Sequence, residues 1–368
     1  MLKAYGFTEF INKIDTYSEI ICYGAGRRIL RLKEYFPDSV LAKITMVVDS
    51  DLKKKNQEIV INKRIYHVMN LDDIETIQKS TAILIPCIEC FPIIDMLENN
   101  EKTCQCDIVA LQYMIRTVEE DFAMSRKIPN QLRLTDKQQI PKTIHYCWFG
   151  KQPLPPQYKK NMESWEKYCP DYEIQRWDES NYDITKNKYM YDAYKNKLWA
   201  LVSDYARLDI IFEHGGIYLD TDVELIKSLD DLLYQEAFAG FERKQFVAFG
   251  LGFGAQKHFQ VLKKMLDYYE HIDLINGDGT LNVITCPRVQ TKILCEEGLI
   301  CNGEYQRVAG MTIYPEKMLS GKSYSTMRIR LAPYTHAIHH YSASWHSNKK
   351  YFNNIGKTEN FMKKFEEK

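Results

Sequence analysis

Along the first 125 positions the hydrophobic residues follow two alternating rhythms. Ser18 to Tyr23, Ile44 to Val48 and Thr81 to Ile85 are short, nearly unbroken apolar runs, the pattern of strands buried on both faces. Each run ends at a turn or breaker: Gly24-Ala25-Gly26, Asp49-Ser50-Asp51 and Pro86. After the first, Ile29, Leu30, Leu32, Lys33 and Phe36 give three- and four-residue apolar steps, which predict a helix closed by Pro37. Strands alternating with helices predict a parallel, doubly wound, Rossmann-like domain over residues 1–125. From Glu119 to Gln139 the chain is polar and of mixed charge, which predicts an inter-domain connection with its linker at 126–139.

A second set of elements follows. Thr143 to Phe149 is rich in β-branched and aromatic residues and reads as a strand, ended by Gly150, Pro153, Pro155 and Pro156. Trp199 to Glu213 reads as a helix with Leu201, Leu208, Ile211 and Phe212 buried, Gly215 as its left-handed cap and Gly216 freeing the turn. Asp204 and Arg207 share one face of that helix and are placed to pair. Ile217 to Asp222 reads as a strand, with Ile217, Leu219 and Thr221 on one face and Tyr218, Asp220 and Asp222 on the other. The apolar alternation and glycines of Val247 to Gly254 suit a strand and a close loop, where the backbone can approach a ligand.

Composition narrows the classes. A length of 368 residues suggests two domains. With 45% apolar and 27% charged residues the chain is globular rather than disordered. Lys+Arg and Asp+Glu both number 49, so the basic excess that phosphate neutralisation needs is missing, which argues against a dedicated nucleic-acid binder. No apolar run reaches the roughly 18 residues of a membrane span, and the N-terminus lacks the features of a signal peptide. These features predict a soluble, intracellular protein. The pair Cys87/Cys90 is followed by Cys104-Gln-Cys106, one residue tighter than the usual zinc knuckle, and reads as a strand end plus a loop.

Two sites carry candidate chemistry. The Gly24-Ala25-Gly26 turn, with an acid about 25 residues later, looks like the dinucleotide fingerprint, but Ile29 stands where the third glycine belongs. In the second part, Asp220 and Asp222 end a buried strand, and two like charges there need a cation. Mg²⁺ or Mn²⁺ bridging to a diphosphate suits such hard oxygen donors.

Ser203-Asp-Tyr-Ala-Arg207 followed by Gly215-Gly-Ile-Tyr-Leu-Asp-Thr-Asp222 resembles the Asp-x-Asp signature of glycosyltransferase family 32. The resemblance runs from about Ile140 to Trp345. It takes in the opening Ile140-Pro-Lys-Thr-Ile-His with its Trp148, Trp177-Asp178, and the closing Ile338-His-His-Tyr-Ser-Ala-Ser-Trp345. It implies a GT-A catalytic domain over 140–350, a nucleotide-sugar donor (a UDP-sugar favoured over a GDP-sugar), Mn²⁺ or Mg²⁺, and retention of anomeric configuration.

By the same resemblance, Trp148 stacks on the base, while Ser203, Asp204 and Arg207 lie on the donor side, the last two gripping sugar hydroxyls. Tyr218 flanks the nucleotide. Asp220 contacts ribose and metal, and Asp222 and His340 ligate the metal, although only one of His339 and His340 can face it. Ser344 and Trp345 touch the diphosphate. Cys286-Pro287 and Met318-Leu-Ser-Gly321 depart from the family pattern where the sugar or acceptor is recognised.

The leading expectation is a cytoplasmic glycosyltransferase that serves bacterial surface polysaccharide and acts on a glycan or lipid-linked glycan acceptor. A Lys-rich helical tail over 351–368 is suited to peripheral contact with an anionic membrane face. The alternatives are an NAD(P)-dependent nucleotide-sugar oxidoreductase or epimerase using the glycine turn, and a nucleotide-sugar binding protein without turnover.

Overall fold

The computed structural model describes residues 1–88 and 90–342. The chain forms two compact units, one of residues Met1–Glu120 and one beginning at Asp121.

In the first unit a seven-stranded sheet has the order β1 (Leu2–Lys3), β7 (Asp107–Ala110), β6 (Thr81–Ile85), β2 (Glu19–Tyr23), β3 (Ile44–Val48), β5 (Arg64–Met69) and β4 (Glu58–Ile61). Neighbouring strands run parallel, except that β4 and β5 form an antiparallel hairpin. The central runs are apolar because both faces are covered: Ile20, Cys22, Ala82 and Leu84 pack into one core, and Ile21, Tyr23, Ile83 and Ile85 into the other.

The helix expected after the glycine turn is a 3-10 helix, Arg27–Glu34. Its two buried residues, Ile29 and Leu32, lie three apart, which is the 3-10 repeat. The helix Leu111–Met124 runs into the stretch expected to be the connection. Residues 125–142 carry neither helix nor strand and lie along the second unit. Leu134 and Thr135 donate their N–H groups to Tyr234 O, and Gln139 donates to Leu233 O at 2.9 Å. Ile128 and Leu132 pack on the core beneath, and Ile140 is fully buried in it.

The second unit holds the sheet order β15 (Gln306–Val308), β16 (Met311–Tyr314), β12 (Ala237–Arg243), β14 (Phe253–Ala255), β10 (Gly216–Tyr218), β8 (Thr143–Cys147) and β9 (Glu173–Trp177), with β13 (Phe246–Val247) paired on β12. Strands β9, β8 and β10 run parallel, and β14 is antiparallel to both β10 and β12. A separate antiparallel pair joins β11 (Val223–Leu225) to β17 (Ala337–His339). The parallel ends of β8 and β10 and the start of β14 share one sheet edge, so residues 148–150, 219–222 and 249–252 all leave or enter there. Among the described residues no helix is long and apolar enough to cross a membrane.

Candidate functional site

The approach to this edge is built from the helix Trp199–His214, which has no glycine or proline before Gly215. Gly215 and Gly216 have φ of +69° and +101°. A Cβ at Gly216 would lie 2.7 Å from Thr143 O and 2.9 Å from His145 Nε2, so only glycine passes so close to β8. His145 fixes this junction from inside the core. Its Nε2 is 3.0 Å from Gly215 O, and Trp177 Nε1–H donates to its Nδ1 at 3.0 Å. That pair of bonds requires the neutral Nε2–H tautomer, and burial pushes the imidazole down to about 4.

The strand expected to run through Asp222 stops at Tyr218. Val223 N–H closes a turn on Asp220 O at 3.0 Å, because the chain must leave the large sheet to join β17. The helix Pro156–Tyr168 pins the turn: Asn161 Nδ2 donates to Thr221 O, Trp165 Nε1 to Val223 O, and Ser164 Oγ accepts from Leu225 N. The two acids therefore converge through a turn rather than through strand alternation.

They meet His339. One ligand atom from each of Asp220, Asp222 and His339 lies within 4.8 Å of the others. Asp222 Oδ1 is 3.3 Å from His339 Nε2, and Asp222 Oδ2 accepts from Ser342 N at 2.8 Å. His340 points elsewhere, with its Nε2 2.9 Å from Glu224 Oε2, so the structure replaces His340 with His339 in this cluster. Pairing of His339 with Val223 sets which of the two histidines faces the acids. Ser344 and Trp345, like the tail at 351–368, lie outside the described residues.

Arg207 ties the helix to the turn. Its side chain is 4% exposed, with Nη2 3.2 Å from Asp204 Oδ1 and 3.3 Å from Asp220 Oδ1. Nε donates to Ser203 O, and the guanidinium lies 4.9 Å over the Tyr218 ring. Tyr218 OH donates to Asp220 Oδ1 at 3.0 Å. One guanidinium thus serves two carboxylates, and a third, Asp222, faces His339.

Burial raises Asp204 to about 6 against the pull of Arg207. Asp220 is also raised, by burial and by Asp222, with Arg207 opposing. Burial works against Asp222 too, but His339 and the Ser342 N–H outweigh it and hold the acid at about 2. The Asp222 carboxylate in turn raises His339 against its own burial. Asp220 remains the open edge of the group, its side chain 28% exposed.

Two oxygen donors and an imidazole nitrogen, converging beside a solvent-open carboxylate edge, form a donor set that fits a divalent cation. The ion pair between Asp222 and His339 occupies part of that position in the protein alone.

The glycine-rich segment closes the site from above. Phe249–Leu251 form a short 3-10 turn, and a Cβ at Gly250 would be 2.7 Å from Asp220 Oδ2 and 3.1 Å from Arg207 Nη1. The helix Cys286–Glu296 holds this segment with side chains in place of a neighbouring strand. Gln290 Oε1 accepts Phe249 N–H at 2.9 Å, and Thr291 Oγ1 accepts Val247 N–H at 3.0 Å. At the start of the same helix, burial and the nearby Asp204 carboxylate push the Cys286 thiol well up.

Two expected residues stand apart from the cluster. Trp148 is half-buried, its Nε1 donating to Gln152 O and its ring 5.7 Å from Tyr158. Ser203 Oγ donates back to Trp199 O. In the first unit, the acid that a dinucleotide would need is already engaged: Asp49 accepts from Ala25 N at 2.7 Å and Asp51 N at 2.9 Å, and pairs with Lys54 at 2.8 Å. Sequence reasoning missed His145, Gly250 and Gln290. For His145 a signal was present, because a polar residue inside an apolar strand run needs a partner.

Residues 155–239, which contain the helix and both acids, match the family described as the glycosyltransferase sugar-binding region containing DXD motif. An uncharacterized glycosyltransferase of Acanthamoeba polyphaga mimivirus is 34% identical over 26% of this chain. The inositol phosphoceramide mannosyltransferase 3 of Schizosaccharomyces pombe is 34% identical over 27%, and the mannosyl phosphorylinositol ceramide synthase of Saccharomyces cerevisiae 32% over 29%. The chain spans 40%, 29% and 28% of the length of these three relatives. Among solved structures, the PaToxG glycosyltransferase aligns at a TM-score of 0.36 and 17% identity, covering 51% of this chain and 79% of that one.

Proposed function

We propose that this chain is a metal-dependent, retaining glycosyltransferase. It takes a sugar from a nucleoside-diphosphate donor, with a UDP-sugar favoured over a GDP-sugar, and passes it to a hydroxyl of a glycan or lipid-linked glycan in bacterial surface polysaccharide synthesis. In this reading residues 140–350 are a GT-A catalytic domain, 126–139 the connection and 1–125 an accessory domain, and the enzyme works in the cytoplasm at the inner membrane face. One observation carries the proposal: Asp220, Asp222 and His339 converge next to an Arg207 already shared by Asp204 and Asp220.

Asp220, Asp222 and His339 would hold Mn²⁺ or Mg²⁺, which supplies Lewis-acid stabilisation to the diphosphate leaving group when bound. Asp204 and Arg207 bind sugar hydroxyls, Tyr218 flanks the nucleotide and Trp148 stacks on its base. The bond from the anomeric carbon to the phosphate oxygen breaks as the bond to the acceptor oxygen forms on the same face. The acceptor proton passes to the departing phosphate. Trapping of a covalent glycosyl-protein adduct would overturn this front-face scheme.

The names of the two fungal relatives favour one variant, a mannosyl donor with an inositol-phosphate lipid acceptor. A thermal-shift panel of UDP- and GDP-sugars, mannose included, with and without Mn²⁺, tests both versions. At a hundredfold excess over Kd the right donor adds about 2.7 kcal/mol of stability, so the melting point rises only when metal and donor are both present. If no nucleotide sugar raises it in a metal-dependent way, the proposal fails.

A further inference from the structure

The helix Cys286–Glu296, whose middle holds the glycine-rich segment, carries an exposed thiol in its last turn, Cys295. Just past the helix end, Gly298 takes a φ of +102° and reverses the chain. Gly298 N–H donates to Cys295 O at 3.1 Å, and Leu299 N–H to Leu294 O at 2.9 Å. These are the paired bonds of a glycine-capped helix end, with Leu294 and Leu299 both buried in the same core cluster. The reversal returns the following residues to the last helical turn.

Cys301 is thereby brought to Cys295, with the two Sγ atoms 3.5 Å apart. A side chain at the start of β15 fixes this approach. Gln306 Oε1 accepts Ile300 N–H at 2.9 Å, and Gln306 Nε2 donates to Ile300 O at 2.9 Å, so the residue before Cys301 is held by both of its backbone groups. Asn302 N–H, on the other side of Cys301, donates to Ile300 O at 2.8 Å. Cys301 packs partly on the core, while Cys295 faces solvent. Sulfurs already in contact need to approach by only about 1.5 Å to reach bonding distance.

We propose that Cys295 and Cys301 form a reversible oxidation site for low-molecular-weight disulfides such as glutathione disulfide. The Cys295 thiolate attacks one sulfur of the small disulfide, whose S–S bond breaks and releases a first small thiolate. Cys301 then attacks the Cys295 sulfur, the Cys295–Cys301 bond forms and the second small thiolate leaves. The two protein thiol protons end on the two released thiolates. The protein is oxidised by two electrons and the small disulfide is reduced to two thiols.

Exposure sets the order of attack. Burial and the neighbouring Cys295 push the Cys301 thiol up to about 11, which makes it a poor nucleophile toward a disulfide in solution. Beside a mixed disulfide on Cys295 it is already in contact and needs no encounter. The closed bridge fastens the end of the helix whose Gln290 and Thr291 hold Phe249 and Val247. The inference is independent of the sugar-transfer reading.

The test equilibrates the full chain, in a Cys104→Ser background that removes the other exposed thiol, with glutathione disulfide. The protein is then alkylated and digested with trypsin. Cleavage after Lys292 and Arg307 leaves both cysteines in one peptide, 293–307. The expected peptide is two hydrogens lighter than the reduced one and resists alkylation. Cleavage after Glu296 or Glu297 leaves its halves joined, and dithiothreitol frees them. The oxidised protein melts higher than the reduced one, because the bridge restrains the unfolded chain without bending the native one. Cys301→Ser lacks the second thiol and halts with glutathione on Cys295, whereas Cys295→Ser takes up at least tenfold less at Cys301. Closure without a persistent adduct, with that ranking of the variants, supports the proposal. Glutathione that stays on Cys295 when Cys301 is present, two thiols that remain open to alkylation, or a link from either to another cysteine overturns it. So does a bridged form that melts below the reduced one, or equal uptake by the two serine variants. Should a serine variant fail to fold, the peptide and melting comparison on the parent chain decide alone.

Discussion

Gly250 presses its backbone against Asp220 so closely that one added methyl group would come within 2.7 Å of the carboxylate oxygen Oδ2. Gly250 is not among the glycines with positive φ, so the backbone itself tolerates alanine. Gly250→Ala therefore tests steric contact alone. The methyl displaces Asp220 and the Arg207 guanidinium 3.1 Å away, costing about 1–3 kcal/mol of stability as overpacking does. The expected outcome is a folded protein with a lowered melting point and Mn²⁺ affinity reduced tenfold or more, read by melting curves and calorimetry. Wild-type affinity would show that the turn does not shape the site.

His339 and His340 are adjacent but face opposite ways, one toward Asp222 and the other toward Glu224. His339→Ala removes one of three converging donors, and Mn²⁺ affinity drops at least tenfold. His340→Ala removes a partly exposed pair with Glu224, which contributes little, and affinity stays within twofold. Calorimetry on the two variants separates these outcomes, and the opposite ranking would restore His340 to the site.

Much of this geometry is written in local pattern. The Asp204–Arg207 pair follows from helical spacing and the glycine pair from the need to turn at once into β10, and both are visible in one short segment. The approach of Asp220 to Asp222 was also legible, although its cause was not. Strand alternation and a tight turn both bring residues two apart together, and only the pairing of Val223 with His339 decides for the turn. The choice of His339 over His340 depends on that same pairing, a register between segments more than a hundred residues apart. Gly250 and Gln290 reach the site through tertiary contacts that leave no local signal. At Arg27–Glu34 the apolar spacing fitted a helix, but only the buried pair Ile29 and Leu32 shows that its repeat is three.

His145 makes the supporting junction sensitive to acid. Burial holds its folded-state value at about 4, below the ordinary 6.5. Between those two values the unfolded chain binds a proton that the folded chain refuses, so stability falls as pH drops from about 6.5 to about 4 and levels off below. The size of the loss is on the order of 3 kcal/mol. The Trp177 N–H, donating to Nδ1, is one specific reason the proton is refused, since a protonated ring would set donor against donor. Trp177→Phe removes that conflict, so the His145 titration moves upward and the acid loss becomes smaller, even though the lost packing lowers stability at every pH. Histidine ring NMR across pH 3.5–7.5, with denaturant melts at both ends, measures both quantities. A His145 resonance titrating near 6.5 in the wild-type protein would show that this imidazole does not hold the glycine junction in its neutral form.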